Sequence, residues 1–157
     1  MSKTFSYKIN PESILTRVKM DTHYVAQKMA EDGSTFERVA IINANKEILD
    51  TSILKGIDSI VLLFQRWITS LPQTKLPLEN EIEFNLSVAD ASDPVQLDNL
   101  TDLTEKYLVA FTLGEWMAKI DTEKSSDYMK EAEGFSSMMS ESINSRIRLP
   151  RIRIAEE

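Results

Sequence analysis

The chain has 157 residues, of which 42% are hydrophobic and 27% are charged, with four glycines, five prolines and no cysteine. This length and composition suit one folded domain with a real core, and they exclude a disordered or fibrous chain. Without cysteine there can be no disulfide, no thiolate nucleophile and no thiolate zinc site. A net charge of −7 and a pI near 4.9 argue against a general nucleic-acid-binding protein.

No segment of the sequence predicts membrane contact. The N-terminus does not have the apolar region of a signal peptide. The most apolar stretch, 57–68, contains Asp58, Gln65 and Arg66 and is shorter than the roughly 20 residues that span a bilayer. We therefore interpret this stretch as a buried helix of a soluble domain.

The chain begins with a short alternating segment and a strong helix start. Thr4–Ile9 alternates apolar and polar residues, which predicts a short strand. At 10–12, Asn can cap free backbone N–H groups, Pro fits the first helical position, and Glu favours the positive end of the helix dipole. These signals and the apolar spacing that follows predict a helix from Pro11 to about Ala30.

The next segment predicts two helices. The first runs from Ser34 or Thr35 to Leu49, and the second, after a break at 50–52, runs from Ile53 to about Leu71. One continuous bent helix over the whole segment is the alternative. The second helix is apolar on more than one face, so we expect it to be the central, most buried helix.

The clearest strand signal covers Ile82–Val88, where apolar residues alternate with polar ones. Such a strand packs one face on the core and exposes the other, which carries Glu81 and Glu83. A lone strand would leave backbone groups unpaired, so it needs a partner. Either Phe5–Ile9 or Ile147–Ile154 could provide that partner.

The C-terminal half predicts a helical hairpin. A helix start at 92–94 leads into a helix from Val95 to Ile120, a turn at Asp121–Lys124 and a last helix over Ser125–Ser145. Two amphipathic helices with a short joint are typical of an antiparallel pair. Gly114 lies inside the first of them, which predicts close approach of the neighbouring helix at that point.

The predicted fold is therefore mainly α: a single domain of four to five helices with a small β element near Ile82–Val88 and an extended C-terminal arm. Residues 1–145 form the helical body with its β element, and residues 146–157 form the arm. No internal repeat of the length found in solenoid proteins is present.

The arm alternates arginines with aliphatic residues on both sides of Pro150, which excludes a helix interior there. Its interaction residues are predicted to be Arg146, Ile147, Arg148, Leu149, Arg151, Ile152, Arg153 and Ile154. Without these four arginines the net charge of −7 would be −11. The arm could contact nucleic acid, serve as an idle terminus, or dock as a strand on an acidic partner. Glu81 and Glu83 of a neighbouring copy are the suggested acidic counterpart, and any nucleic-acid contact would be incidental.

No catalytic, cofactor-binding or metal site is predicted. His23 is the single histidine and has no cluster of ligands around it, which favours a structural role. The carboxylates at 79–83 and at 131–133 lie on faces predicted to be solvated, and the glycines form no phosphate-binding loop. Trp67, Trp116 and the Met138-Met139 pair could line a partner groove, but core packing is the favoured interpretation. The sequence therefore does not predict an enzyme.

A hydrophobic pattern extends over residues 97–153. Its positions are Leu100, Leu103, Tyr107, Leu108, Val109, Phe111, Leu113, Glu115, Trp116, Tyr128 and Ala132, and it ends in Arg146-Ile147-Arg148-Leu149-Pro150-Arg151. This pattern resembles small phage head-to-tail connector (adaptor or neck) proteins of the prophage type. The resemblance implies a mostly helical protein that forms a ring beneath the portal and reaches neighbouring components with its C-terminal extension. It implies no catalytic residues.

We therefore expect a non-enzymatic structural protein of a phage particle, a connector or neck component in a homo-oligomeric ring between portal and tail. Its partners would be portal and tail or neck proteins. It would be part of the virion and be assembled in the cytoplasm of the bacterial host. The alternative is a cytosolic helical adaptor or regulator that binds a protein partner through its C-terminal arm.

Overall fold

The computed structural model describes residues 1–31 and 45–147. In chain order these residues form β1 (Ser2–Ile9), α1 (Pro11–Glu31), α2 (Lys46–Leu63), β2 (Ile68–Ser70), β3 (Ile82–Ala89), α3 (Pro94–Asp98), α4 (Leu100–Met117) and α5 (Thr122–Asn144). The fold is mainly helical with one small antiparallel sheet of three strands, which confirms the predicted class.

The sheet has the strand order β1-β3-β2, so β3 lies in the centre. β1 pairs with β3 along its whole length, with Phe5 opposite Leu86 and Ile9 opposite Ile82. The apolar residues of β3 point inwards and are buried, while Glu83 on the other face is exposed. The predicted strand at Ile82–Val88 and its first suggested partner, Phe5–Ile9, are therefore confirmed. Of the second suggested partner, only Ile147 is among the described residues.

The central helix is α4, which packs against α1, α2, α5 and β1. It buries ten residues, whereas α2, with the same length of 18 residues, buries seven. The prediction that the helix beginning at Ile53 is the central one is therefore wrong. A buried hydrogen bond of 3.0 Å between the Tyr7 hydroxyl and the Thr104 hydroxyl joins β1 to α4. Burial raises the pKa of Tyr7, which keeps this hydroxyl neutral.

Side-chain caps define where three of the helices begin. Asn10 accepts a hydrogen bond of 3.0 Å from the backbone N–H of Glu12, and Asp93 accepts one of 3.0 Å from that of Val95. Both predicted helix starts are therefore confirmed. Asp121 accepts bonds from the N–H groups at 123 and 124, so α5 begins at Thr122 and the predicted turn at Asp121–Lys124 is wrong.

The predicted break at 50–52 is also wrong, because α2 continues through it. Asp50 is 1% exposed, and its carboxylate is paired with Lys46, one turn earlier, at 2.8 Å. The same carboxylate accepts a hydrogen bond of 3.2 Å from the backbone N–H of Leu78. Asp50 therefore binds the 71–81 loop to α2 and does not mark a turn in the chain. The predicted helix over 34–49 lies, up to residue 44, outside the described residues.

Two further helix boundaries differ from the prediction. α2 ends at Leu63 rather than Leu71, and residues Ile68–Ser70 form β2 instead, because β3 offers them a strand partner. The helix predicted over Val95–Ile120 is two helices that meet at Asn99. The backbone of Asn99 stays in the helical region (φ −72°, ψ −15°), and Leu97 and Leu100 on either side of it are both buried on the same face.

The predicted hairpin of α4 and α5 is confirmed, and so is the close approach at Gly114. A Cβ atom added at Gly114 would lie 2.8 Å from Cε of Met129 and 3.0 Å from its Cγ. The Ser125 hydroxyl donates a buried hydrogen bond of 2.8 Å to the Gly114 carbonyl. Gly114 therefore allows α5 to pack directly on the backbone of α4.

Replacing Gly114 with Val is expected to lower the free energy of unfolding by about 1–3 kcal/mol, because the new side chain must displace Met129. Gly134→Val on α5 is the matched control, since nothing lies within 4 Å of a Cβ atom at Gly134. The control is expected to change stability by less than about 0.5 kcal/mol. Urea unfolding of the two variants measures the difference, and equal losses would contradict close packing at Gly114.

Candidate functional site: the base of the C-terminal arm

The C-terminal arm begins on a fixed base where α5 ends. Residues 145–147 run antiparallel to the loop that follows β3, with Arg146 bridged to Ser92. The N–H of Asp93 donates to the carbonyl of Ser145 at 3.1 Å, and the N–H of Ile147 donates to the carbonyl of Ala91 at 2.8 Å. The chain is therefore held on the body up to Ile147. The predicted arm residues from Arg148 onwards lie outside the described residues.

Arg146 closes the end of α5 against this loop. Its guanidinium donates to the Ser92 hydroxyl at 3.3 Å and to the carbonyls of Ile143 and Ser145 at 3.3 and 3.2 Å. Free carbonyls at a helix C-terminus favour such a cation. The first arginine of the arm therefore fixes the base of the arm within its own chain.

The base is also tied to the sheet. Ser92 is fully buried, and its carbonyl accepts a hydrogen bond of 3.3 Å from the Lys3 ammonium of β1. The N–H of Asp90 donates to the carbonyl of Met1 at 3.4 Å. The arm therefore leaves the body at the end of the sheet formed by the start of β1 and the end of β3.

Exposed aliphatic side chains lie next to the contact between residues 145–147 and the loop after β3. Ile147 is 51% exposed and Val95, at the start of α3, is 68% exposed. Neither belongs to the core clusters of the described residues. The first aliphatic residue of the arm therefore points away from the core of its own chain.

The suggested acidic counterpart lies at the opposite end of β3. Glu81 and Glu83 are exposed, as predicted, and Glu83 lies opposite Lys8 of β1. Six residues separate Glu83 from Ala89, which corresponds to about 20 Å along a strand. The fold therefore does not bring Arg146 and Ile147 together with Glu81 and Glu83 within one chain.

The remaining residues singled out in the sequence have ordinary places in the fold. His23 is exposed on α1, and the carboxylates at 131 and 133 are exposed on α5. Met139 is fully buried, while Trp67 and Trp116 are half-buried against the core. Within 1–31 and 45–147, no three His, Asp or Glu residues lie close enough together to hold a metal ion. No helix in the same ranges is long and apolar enough to cross a membrane.

The sequence gives no sign of a cleft of about 380 Å³ between α1 and α5. Its polar lining includes Arg17 and Asp21 from α1, Lys106 from α4, and Tyr128 and Glu131 from α5. Partial burial raises the pKa of Asp21, and the charge of Arg17 offsets part of this rise. Burial raises the pKa of Tyr128, and the carboxylates Asp21 and Glu131 raise it further. These residues are far apart in sequence, so only helix packing reveals the cluster.

Comparison with known proteins gives no relative. No protein-family model matches the chain, and no curated protein and no solved structure is similar to it.

Asp21→Asn is expected to raise the free energy of unfolding at pH 7 by less than about 1 kcal/mol. The pKa of Asp21 is raised in the folded protein, so folding opposes its ionisation and stability falls as pH rises through that pKa. The gain should therefore shrink as the pH is lowered towards 4. Urea titrations at both pH values measure it. Glu133→Gln on the exposed face of α5 is the control, because it also removes one negative charge. An equal change of stability in both variants at pH 7 would contradict a raised pKa of Asp21 in the folded protein.

Proposed function

We propose that this protein is a non-enzymatic structural protein of a phage particle, a head–tail connector or neck component that assembles as a ring between portal and tail. The C-terminal arm makes the contact between copies or with the portal. The observation that supports this proposal is the base of the arm, where Ser145–Ile147 is hydrogen-bonded to the loop after β3. A fixed base sets the point on the surface at which the rest of the arm begins.

The charge distribution supports an intermolecular role for the arm. Residues 146–157 contain four arginines and two glutamates and therefore carry a net charge of +2. Because the whole chain has a net charge of −7, residues 1–145 carry −9. Opposite charges on the two surfaces favour encounter and fix the register of binding, while exposed ion pairs are worth only about 0–1 kcal/mol each. The aliphatic residues of the arm therefore supply most of the affinity.

The arrangement also suits a ring. An arm that leaves one surface and binds a different surface of the next copy makes a head-to-tail contact, and such contacts close into rings or continue as filaments. The resemblance of residues 97–153 to connector proteins supports the proposed ring, and the partners we propose are portal and tail or neck proteins. The protein would then be located in the virion after assembly in the bacterial cytoplasm.

The direct test is a chain that ends after Ile147. Deleting from Arg146 would also remove the hydrogen bonds of its guanidinium to Ser92 and Ile143, whereas ending after Ile147 keeps the base. We expect a folded helical protein that no longer self-associates or binds the portal protein, measured by sedimentation velocity and by circular dichroism. Normal assembly of the shortened chain would show that the arm is an idle terminus.

The genes that flank the coding sequence separate the phage role from the cytosolic adaptor. Portal, terminase and tail genes on either side would support a connector. Their absence, combined with loss of self-association in the shortened chain, would favour an adaptor that uses the same arm.

A further inference from the structure

β3 is paired on both sides over only part of its length. β1 accompanies all of it, but β2 pairs with it only at Leu86 and Asn85. On the β2 side, the stretch Glu81–Phe84 therefore has no strand neighbour among the described residues. We call this stretch the open half-edge.

The backbone of the open half-edge is directed outwards. The N–H of Ser87 donates to the carbonyl of Trp67 on the β2 side at 2.6 Å, and the Thr69 hydroxyl donates to the carbonyl of Asn85 at 3.3 Å. Alternate residues of an antiparallel strand direct their backbone groups to the same side. The N–H and C=O groups of Glu83 therefore face the side that β2 leaves uncovered, where an added strand would bind them.

The side chains of the open half-edge alternate between exposed carboxylates and buried apolar residues, which matches the alternation of arginine and isoleucine in the arm. Glu81 and Glu83 are exposed and form no ion pair with a described residue, while Ile82 and Phe84 are buried in the core. In the arm, 151–154 reads Arg-Ile-Arg-Ile. A strand of this sequence beside the half-edge places both arginines on the carboxylate face and both isoleucines on the core side, in a parallel or an antiparallel register.

The first residues of the open half-edge border a hollow. It has a volume of about 910 Å³, is lined by residues 72–82, and meets the half-edge at Glu81 and Ile82. Leu76, 47% exposed, offers aliphatic surface there, and Leu78 is held on α2 by its bond to Asp50. This bond therefore places Leu78 of the loop against α2.

The arm of the same chain does not reach this position. The base fixes Ile147 at Ala91, and four extended residues span at most ~14 Å, so Arg151 stays within that distance of Ile147. Glu83 and Glu81 lie about 20 and 26 Å along β3 from Ala89. β2 also occupies this side of β3 between the two ends. Arg151 would have to lie opposite Glu83 in an antiparallel register and opposite Glu81 in a parallel one, and it reaches neither, so the occupant comes from another molecule.

We propose that Arg151–Ile154 of a second copy of this chain adds as a strand to the open half-edge Glu81–Phe84 of β3. This inference rests on the proposed function and identifies the surface that receives the arm. Each copy then donates an arm at one end of its sheet and accepts one at the other.

Cysteine cross-linking tests the contact, because the chain has no cysteine of its own. Glu83→Cys chains are mixed with size-tagged Arg151→Cys or Arg153→Cys chains and oxidised, so that a mixed disulfide can form only between molecules. An antiparallel strand brings Arg151 opposite Glu83 and a parallel one brings Arg153 there, at a distance that a disulfide can bridge. We expect one of the two mixtures to cross-link at least roughly tenfold more than the same mixtures made with Glu133→Cys. Cross-linking no greater than in this control, in both mixtures, overturns the proposal.

Charge reversal separates this proposal from the proposed function. Glu81→Arg with Glu83→Arg should raise the dissociation constant of self-association by roughly tenfold or more, and adding Arg151→Glu with Arg153→Glu to the same chain should restore it. Sedimentation velocity measures both. If the chain ending at Ile147 fails to assemble while the reversed chain assembles normally, the arm binds elsewhere, and only this inference is wrong. If the chain ending at Ile147 assembles normally, both the proposed role of the arm and its binding to the open half-edge are wrong.

Discussion

The antiparallel ladder between β1 and β3 is the constraint on which the remaining structure depends. It joins the first residues of the chain to the middle of the sequence, and it makes β3 the central strand. The rings of Tyr7 and Phe84 stack across it with centroids 5.1 Å apart, and the Tyr7 hydroxyl continues to Thr104 on α4. The two ends of β3 then fix both surfaces of the proposed contact: the base of the arm follows Ala89, and the open half-edge begins at Glu81.

The half-edge begins where β2 ends, because Ser70, the last residue of β2, lies opposite Asn85. In the loop that follows β2, Asp50, buried in α2, accepts the N–H of Leu78, which places that residue against α2. β2 itself is only three residues long. Long unprotected edges are an aggregation hazard, and exposed charges such as Glu81 and Glu83 are a common protection. The same carboxylates would then admit a basic strand and repel an acidic one.

Periodicity in the sequence was enough to predict the fold class, the strand at Ile82–Val88 and the C-terminal hairpin, but it left the partner of that strand open between Phe5–Ile9 and Ile147–Ile154. It failed where tertiary contacts override local pattern. Asp50 looks like a helix break but serves as a buried anchor, and Ile68–Ser70 continues an apolar pattern yet becomes a strand because β3 is beside it. The candidate site also has a part that the sequence predicts and a part that depends on tertiary contacts. The arm and its acidic counterpart can be named from composition, but the base at Ser92 and the half-edge depend on register, which no local pattern specifies.

Residue-specific hydrogen exchange of two neighbouring amides tests the central claim most directly. The N–H of Phe84 faces β1, whereas that of Glu83 faces the open half-edge. The account predicts that the Phe84 amide is protected at every protein concentration. The Glu83 amide should exchange fast in the chain ending at Ile147 and become protected when the full-length chain self-associates. Equal exchange of the Glu83 amide in the dilute and the self-associated full-length protein would contradict the account.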